Sequence, residues 1–448
     1  MSEKFDAIII GGGNAGFGVS AVLAKANKTI AFIEQAEFGG TCPNRGCTPK
    51  KVLVAAAKSL DEISKAAGHG ISIGKPTIDW AALITRKNKM IDHIPSAMKG
   101  VAEKRGTVFA GQGKFVGTNQ VEVNGQVLEA EHIIIATGSK TRPLPIPGAE
   151  LMITSDEVLS NSQPPKEVVF IGGGVIALEF SHVYARAGAK VTIIEVMPQL
   201  LPRIDADAVA ALQAATEALG IIVKTSVNVE KITQSADSLA VHIQHQGKAL
   251  VLNADTVING AGRVANIEGL NLEAAGISHD GARIEVNANF QSTSNKHVWV
   301  AGDALATTPQ LSPVATYEGQ IVGNNILNSH KQTSDYRVLP TSVYTIPALS
   351  SVGLTEKEAR DSKASIEVVC NDMTDWFSSQ NVLAKHAWAK IIIDKNTDLI
   401  LGAHILGHQG EELINLIALA MRFNITRAQL KDQFYAYPTF SSDIKNLL

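Results

Sequence analysis

The chain has little with which to staple itself: it carries three cysteines in 448 residues. Stapled secreted frameworks use many more, and the cytosol keeps ordinary thiol pairs reduced, so a disulfide scaffold is excluded. Aromatic residues are scarce, at 5%. No apolar run is long enough to span a bilayer; the longest, such as Leu413 to Met421, stop well short. The N-terminus "MSEKFDAIII" meets glycines before a signal-like apolar stretch develops. A formal charge of −3 offers no attraction for nucleic acid or an anionic membrane surface. The expectation is a soluble, cytoplasmic protein with no nucleic-acid or membrane partner. Glycine is plentiful, at 37 residues, within a 45% hydrophobic composition. Such a chain can bury a large core and divide into two to four domains.

Two of the three cysteines stand in "GGTCPNRGCTPKKVL", at Cys42 and Cys47. In a cytosolic chain a close pair is catalytic or metal-binding. A closed zinc site needs four ligands and usually spaces paired cysteines more tightly, and no second pair is evident, so no metal site is expected. His69, His93, His182, His404 and His408 are scattered and read as surface or satisfied core residues. The third cysteine, Cys370, lies in "SIEVVC", which reads as a strand with the thiol in the core. In an ideal helix, Cα atoms five residues apart would lie roughly 8.6 Å from each other, beyond disulfide reach. Pro43 and Gly46 supply the distortion that a bridge requires. Downstream, Val52, Leu53, Ala56, Leu60 and Ile63 recur at helical spacing, so the pair opens an amphipathic helix. A helix N-terminus favours the thiolate, a suitable setting for a redox disulfide.

The chain also repeats itself. "DAIIIGGGNAGFGVSAVLAKANKTIAFIEQ" from Asp6 and "EVVFIGGGVIALEFSHVYARAGAKVTIIEV" from Glu167 align without a gap at an offset of 161 residues. Each reads as strand, glycine turn, helix, strand and terminal acid, Glu34 in the first and Glu195 in the second. Gly11, Gly13 and Gly16 permit the tight turn, the approach of a pyrophosphate and close helix packing, while the acid accepts from a ribose hydroxyl. Gly172, Gly174 and Ala177 take those places in the second copy. Two dinucleotide sites beside a thiol pair suggest an electron relay from a hydride donor through a flavin to a disulfide.

These motifs, with "IIIATGS" (Ile133 to Ser139), "VWVAGDA" (Val298 to Ala304) and "PTSVYTIPALSSVGLTEKEA" (Pro340 to Ala359), resemble the class I pyridine nucleotide–disulfide oxidoreductases over nearly the whole chain. The resemblance implies FAD at the first fingerprint and a nicotinamide dinucleotide at the second. It implies that Cys42 is the interchange thiol, Cys47 the thiol against the flavin, Lys50 the lysine near the flavin's hydride-accepting nitrogen and Glu179 its ion-pair partner. Asp303 would hold the ribityl chain, and "LSPVA" (Leu311 to Ala315) would start a helix under the flavin. Thr137 and Gly138 would mark the crossover between nucleotide domains. Gly40, Thr41, Ala315 and Gly262 complete the cofactor-binding set. In the implied mechanism NADH reduces FAD, electrons enter the disulfide through Cys47, and Cys42 is left as the free thiolate that attacks a small disulfide or other electrophilic acceptor.

Glu195 would accept from a 2′-hydroxyl and repel a 2′-phosphate, and Val196 and Pro202 stand where NADPH-using glutathione reductases place arginines. NADH is therefore expected rather than NADPH. The chain departs from the family in "FYAYPTFSSD" near the C-terminus, where Tyr437 replaces the catalytic histidine, Ser442 stands at the glutamate position and Asp443 follows. A phenol, with a pKa near 10, is a hydrogen-bond donor but a poor base at neutral pH. Gln320 occupies the place of an arginine that binds glutathione's carboxylate, so glutathione disulfide is not the expected substrate. Mercuric reductases also use tyrosine in this region, but "SDIKNLL" lacks their C-terminal cysteine pair. Two alternatives stay open: a soft-metal-ion reductase, and a low-turnover redox-sensing flavoprotein.

The expected fold is α/β, with two Rossmann-like domains and a C-terminal α+β dimerisation domain. The FAD-binding domain is assigned to residues 1–148 and 267–333, the NAD(P)-binding domain to 149–266 and the interface domain to 334–448. "TRPLPIPG" serves as the first linker. The resemblance further implies a homodimer whose active sites take Cys42 and Cys47 from one chain and Tyr437 from the other.

Overall fold

The computed structural model describes residues 2–235, 238–328 and 331–448. The chain divides into two compact units, the first formed by residues 1–50, 84–142 and 262–334, the second by 51–83, 143–261 and 335–448. One crossing between them falls at Arg142 and Pro143, inside the proline-rich stretch.

In the first unit, consecutive β-branched residues make strands that are buried on both faces. Ile8, Ile9 and Ile10 lie in the strand Glu3–Ile10, and Ile133, Ile134 and Ile135 in Gln126–Ile135; all six are 3% exposed or less. Unbroken apolar runs of this kind belong to parallel sheets covered on both sides. The parallel strands run in the order Thr107–Ala110, Ile30–Glu34, Glu3–Ile10, Gln126–Ile135, Val298–Val300. The antiparallel strands Gln120–Val123 and Lys114–Gly117 extend the sheet beyond the start of Gln126–Ile135.

The second unit contains the repeat of that plan. Its parallel strands run Ile222–Lys224, Lys190–Ile194, Glu167–Ile171, Thr256–Asn259. A three-stranded meander, Val227–Gln234, Leu239–His245 and Lys248–Ala254, packs Val241 and Ile243 into the same core as Val169 and Ile194. A five-stranded antiparallel sheet follows, in the order Thr341–Val343, Ala348–Gly353, Ile400–Gly407, Trp388–Asp394, Ile366–Asp372. The helix Gly410–Arg422 turns Leu413, Ile414 and Ile417 onto Ile391, Ile393 and Ile405 of that sheet, each buried side chain contributing about 2 kcal/mol. Lys390, 2% exposed, is held by Asp205, Asp207 and Glu356 at 2.9, 2.5 and 2.8 Å, which ties the helix Ala206–Ala218 to this sheet.

Cys370 corrects the sequence reading. It lies in a strand, as expected, but that strand, Ile366–Asp372, is the sheet's edge and leaves the thiol exposed. An apolar run at an edge is covered on fewer sides than one in the middle of a sheet. His182 and His404 are buried and bonded, to Thr216 and Ser351 respectively, each at 3.0 Å.

Candidate active site

Each fingerprint begins where a buried strand runs into a glycine turn. Gly11 has φ +113°, and a Cβ there would stand 2.2 Å from the Ala136 carbonyl oxygen, so no other residue fits. Gly172 repeats this at φ +106° against Gly260. The helices Asn14–Lys25 and Val175–Arg186 then start at Gly13 and Gly174 without a side-chain cap, so their first amides face outward as anion donors. Glu34 accepts from the Gly12 and Ala36 amides at 2.7 and 2.8 Å. Glu195 accepts from Gly173 and Met197 at 2.6 and 2.8 Å, at the same offset in the chain. Both acids thus brace the glycine turn with their own carboxylates. Val196 and Met197 beside Glu195 are 66% and 47% exposed.

The sulfur pair adjoins the first fingerprint. Gly40, at φ +69°, approaches Gly13 so closely that a Cβ would lie 2.8 Å from its Cα. Thr41 opens the short helix Thr41–Arg45, which carries Cys42. Gly46 breaks that helix, and Cys47 is the first residue of the next, Cys47–Lys65. A Cβ at Gly46 would meet Thr41 O at 2.9 Å and Cys42 Cα at 3.2 Å, so the missing side chain allows the turn to fold back over the cysteine. Both thiols are free.

The pair shares one proton unequally. Cys47 is lowered from an ordinary 9.0 to about 6, first because the Cys42 thiol donates to it, with help from Ser312 and the Lys50 ammonium against the cost of burial. Cys42 is pushed up by the same bond and by burial. Both shifts make Cys47 the more acidic sulfur of the two. Cys47 Sγ lies 3.7 Å from Ser312 Oγ, at the start of the helix Ser312–Leu327, where Ala315 is buried one turn on.

The surroundings fit an FAD molecule. The Thr137 hydroxyl is buried with no hydrogen-bond partner among the described residues, an orphan that a ligand would satisfy. Gly138 and Gly262 both take positive φ, 70° and 99°. Asp303 is held by Ser139 Oγ at 2.7 Å, and Ser139 by Arg263 Nε at 2.8 Å. Ser312, Ser139 and Arg263 escaped the sequence analysis. Ser312 was visible inside "LSPVA" and Arg263 directly after Gly262, but nothing in their spacing distinguished them.

Glu179 and Tyr437 belong to the second unit. Glu179 is buried and accepts from the Tyr344 amide at 2.8 Å. Tyr437 is 81% exposed. Ser442 is used locally, since it and Thr439 cap each other's backbone. Asp443 turns instead to Ser378, which donates to it.

Comparison with known proteins agrees with this arrangement. Residues 5–319 match the model of the pyridine nucleotide-disulphide oxidoreductases, and residues 339–448 match the dimerisation domain of the same group. A dihydrolipoyl dehydrogenase of Chlamydia pneumoniae is 29% identical over 98% of this chain and 95% of its own. A glutathione reductase of Burkholderia cepacia is 30% identical over 99% of this chain and 98% of its own. Among solved structures, a Cu(II) complex of the HOCl-induced flavoprotein disulfide reductase RclA from Escherichia coli superposes with a TM-score of 0.89, at 29% identity over 99% of both chains.

Proposed function

The chain belongs to the pyridine nucleotide-disulphide oxidoreductase family, and from that premise we propose that Cys42 and Cys47 are its redox-active pair, reducing a small disulfide or other electrophilic acceptor at the expense of NADH. The α/β fold and the NAD(P)H-dependent, FAD-containing oxidoreductase activity come with the family, as does a dimerisation domain. No helix among the described residues is long and apolar enough to cross a membrane. The choice of cysteines rests above all on Cys47: a thiolate stabilised by Cys42, Ser312 and Lys50 stands beside the first fingerprint. NADH is favoured over NADPH because Glu195 closes the second fingerprint with a carboxylate, which would repel a 2′-phosphate, and Val196 follows it in the chain. The three-part division into FAD, NAD(P) and interface domains, and a homodimer with shared sites, are part of the same proposal.

FAD, when bound, takes two electrons from the nicotinamide and delivers them to the sulfur pair. The thiol of Cys42 then loses its proton and attacks one sulfur of the acceptor, so that a Cys42–acceptor bond forms and the acceptor's own S–S bond breaks. The thiolate of Cys47 attacks Cys42 Sγ, releases the second product sulfur and restores the internal disulfide. The pair is oxidised by two electrons, the acceptor is reduced by two, and two protons, one from the Cys42 thiol and one from solvent, end on the product thiols. Lys50 keeps the charge on Cys47, and the hydroxyl of Ser312 donates toward it. Tyr437 would donate a hydrogen bond at the partner subunit's pair.

A second reading, reduction of a metal ion, draws support from the Cu(II) complex of the RclA structure. Anaerobic titration with NADH separates the possibilities. We expect two electrons to enter beyond those held by FAD, with a long-wavelength absorption from the thiolate against the flavin, followed by reoxidation with disulfides. Reoxidation by Cu(II) alone would favour the second reading; a protein that takes up no electrons beyond its FAD would refute both.

A further inference from the structure

The second unit contains a cavity of about 410 Å³ that no cofactor motif explains. It opens where the short helix Phe377–Asn381 faces the C-terminal residues 437–446. Trp376, Phe377, Tyr437 and Phe440 give it aromatic walls, and its polar groups are hydroxyls, carboxamides and one carboxylate, that of Asp443. No lysine, arginine or histidine lines it among the described residues.

Two basic side chains, Lys445 and His408, pack against aromatic rings and do not line the cavity. The Lys445 ammonium sits over the rings of Phe434 and Tyr435, at 6.0 and 5.8 Å. His408 packs against Phe440, with ring centroids 5.0 Å apart and planes tilted by 37°, and burial lowers its pKa. Asp443 accepts a hydrogen bond from Ser378 but forms no ion pair among the described residues. Burial pushes its carboxyl above the usual range, a penalty that an adjacent cation would have relieved.

We propose that this cavity seats the electron acceptor, and that it selects an uncharged or cationic aromatic molecule against one bearing carboxylates. The inference rests on the reading that Tyr437 reaches a sulfur pair in the dimer, since Tyr437 forms part of the cavity wall. The aromatic walls offer stacking area and a negative face to a cation. A carboxylate entering the same space would lose water, find no basic side chain among the cavity's described lining residues and face Asp443.

Three disulfides of similar size test the idea with the FAD-loaded enzyme: uncharged 4,4′-dithiodipyridine, cationic cystamine and dianionic 5,5′-dithiobis(2-nitrobenzoate). Each would be reduced as NADH + H⁺ + RSSR → NAD⁺ + 2 RSH. The expected order of kcat/KM has the uncharged aromatic first and the dianion last, by about tenfold or more at low salt, with the gap narrowing as salt is added. Asp443→Asn should close most of the gap, and Asp443→Lys should reverse it. Reduction of each variant by NADH is followed first, to show that the protein is folded and loaded. A dianion reduced as well as the uncharged disulfide overturns the inference while leaving the disulfide-reductase reading intact, as does an unchanged ratio in both Asp443 variants. Failure of all three disulfides to reoxidise the enzyme overturns that reading, and this inference with it.

Discussion

The two glycine fingerprints make the same hydrogen bonds yet solve one packing problem in opposite ways. In the first, Gly16 leaves no room for a side chain: a Cβ would stand 2.1 Å from Gly11 O and 3.0 Å from Ile9 Cγ2. In the second, Ala177 occupies that place, fully buried. The crossing strand shows the exchange. Ala136 and Gly260 bond back to Ile10 and Ile171 in the same manner, at 2.8 Å each, and a Cβ added at Gly260 would come within 3.1 Å of the Ala177 methyl. The first copy keeps its methyl on the strand and the second on the helix. In the first copy, however, a helix methyl would strike the turn's own carbonyl, Gly11 O, so the glycine there is demanded by the backbone and not by the strand methyl.

The largest expected effect comes from breaking this arrangement. Gly16→Ala should destabilise the first unit by about 3 kcal/mol, seen as colourless protein on purification and a lowered melting temperature. Ala177→Gly should cost about 1 kcal/mol and leave FAD binding unchanged. The double variant Gly16→Ala with Ala136→Gly should recover no bound flavin, because the clash is with Gly11 O, and recovery would mean that the strand methyl is what excludes a helix methyl.

The terminal acids give the next contrast. Glu195→Ala removes two backbone bonds and the charge opposing a phosphate, so KM for NADH should rise about tenfold while the preference over NADPH collapses. Glu34→Ala should weaken retention of FAD without altering nicotinamide choice. A retained NADH preference in Glu195→Ala would locate the discrimination elsewhere.

Sulfur lies beside the first fingerprint only, which permits a narrower test. Ser312→Ala should raise the pKa of Cys47 above about 6, read as the pH midpoint of thiolate absorbance in the reduced protein, with Ser312→Thr restoring it. The sign extends to stability. A thiol lowered by folding contributes fully above its unfolded value near 9 and loses that contribution as pH falls through about 6. The reduced protein should therefore gain melting temperature between those limits, and Ser312→Ala should flatten the gain. Smallest of all, Tyr437→Phe should lower turnover a few-fold, with the rate of reduction by NADH unaltered. Unchanged turnover would remove Tyr437 from the site.

The sequence by itself determined the two fingerprints, the strand–turn–helix units that carry them and the helix that follows the cysteines, because local spacing dictates each. Repetition of glycine, apolar run and acid at a fixed offset is information held within thirty or so residues. It also exposed the missing histidine at Tyr437, a matter of identity at one position. The hydroxyl beside Cys47 was supplied only in three dimensions, since Ser312 reaches it across 265 residues of chain. The Ser139 and Arg263 support of Asp303, the exposure of Cys370 and the cavity at Asp443 arise in the same way. Each depends on neighbours supplied by remote segments, and electrostatics and burial at a point are sums over those neighbours, which no local pattern records.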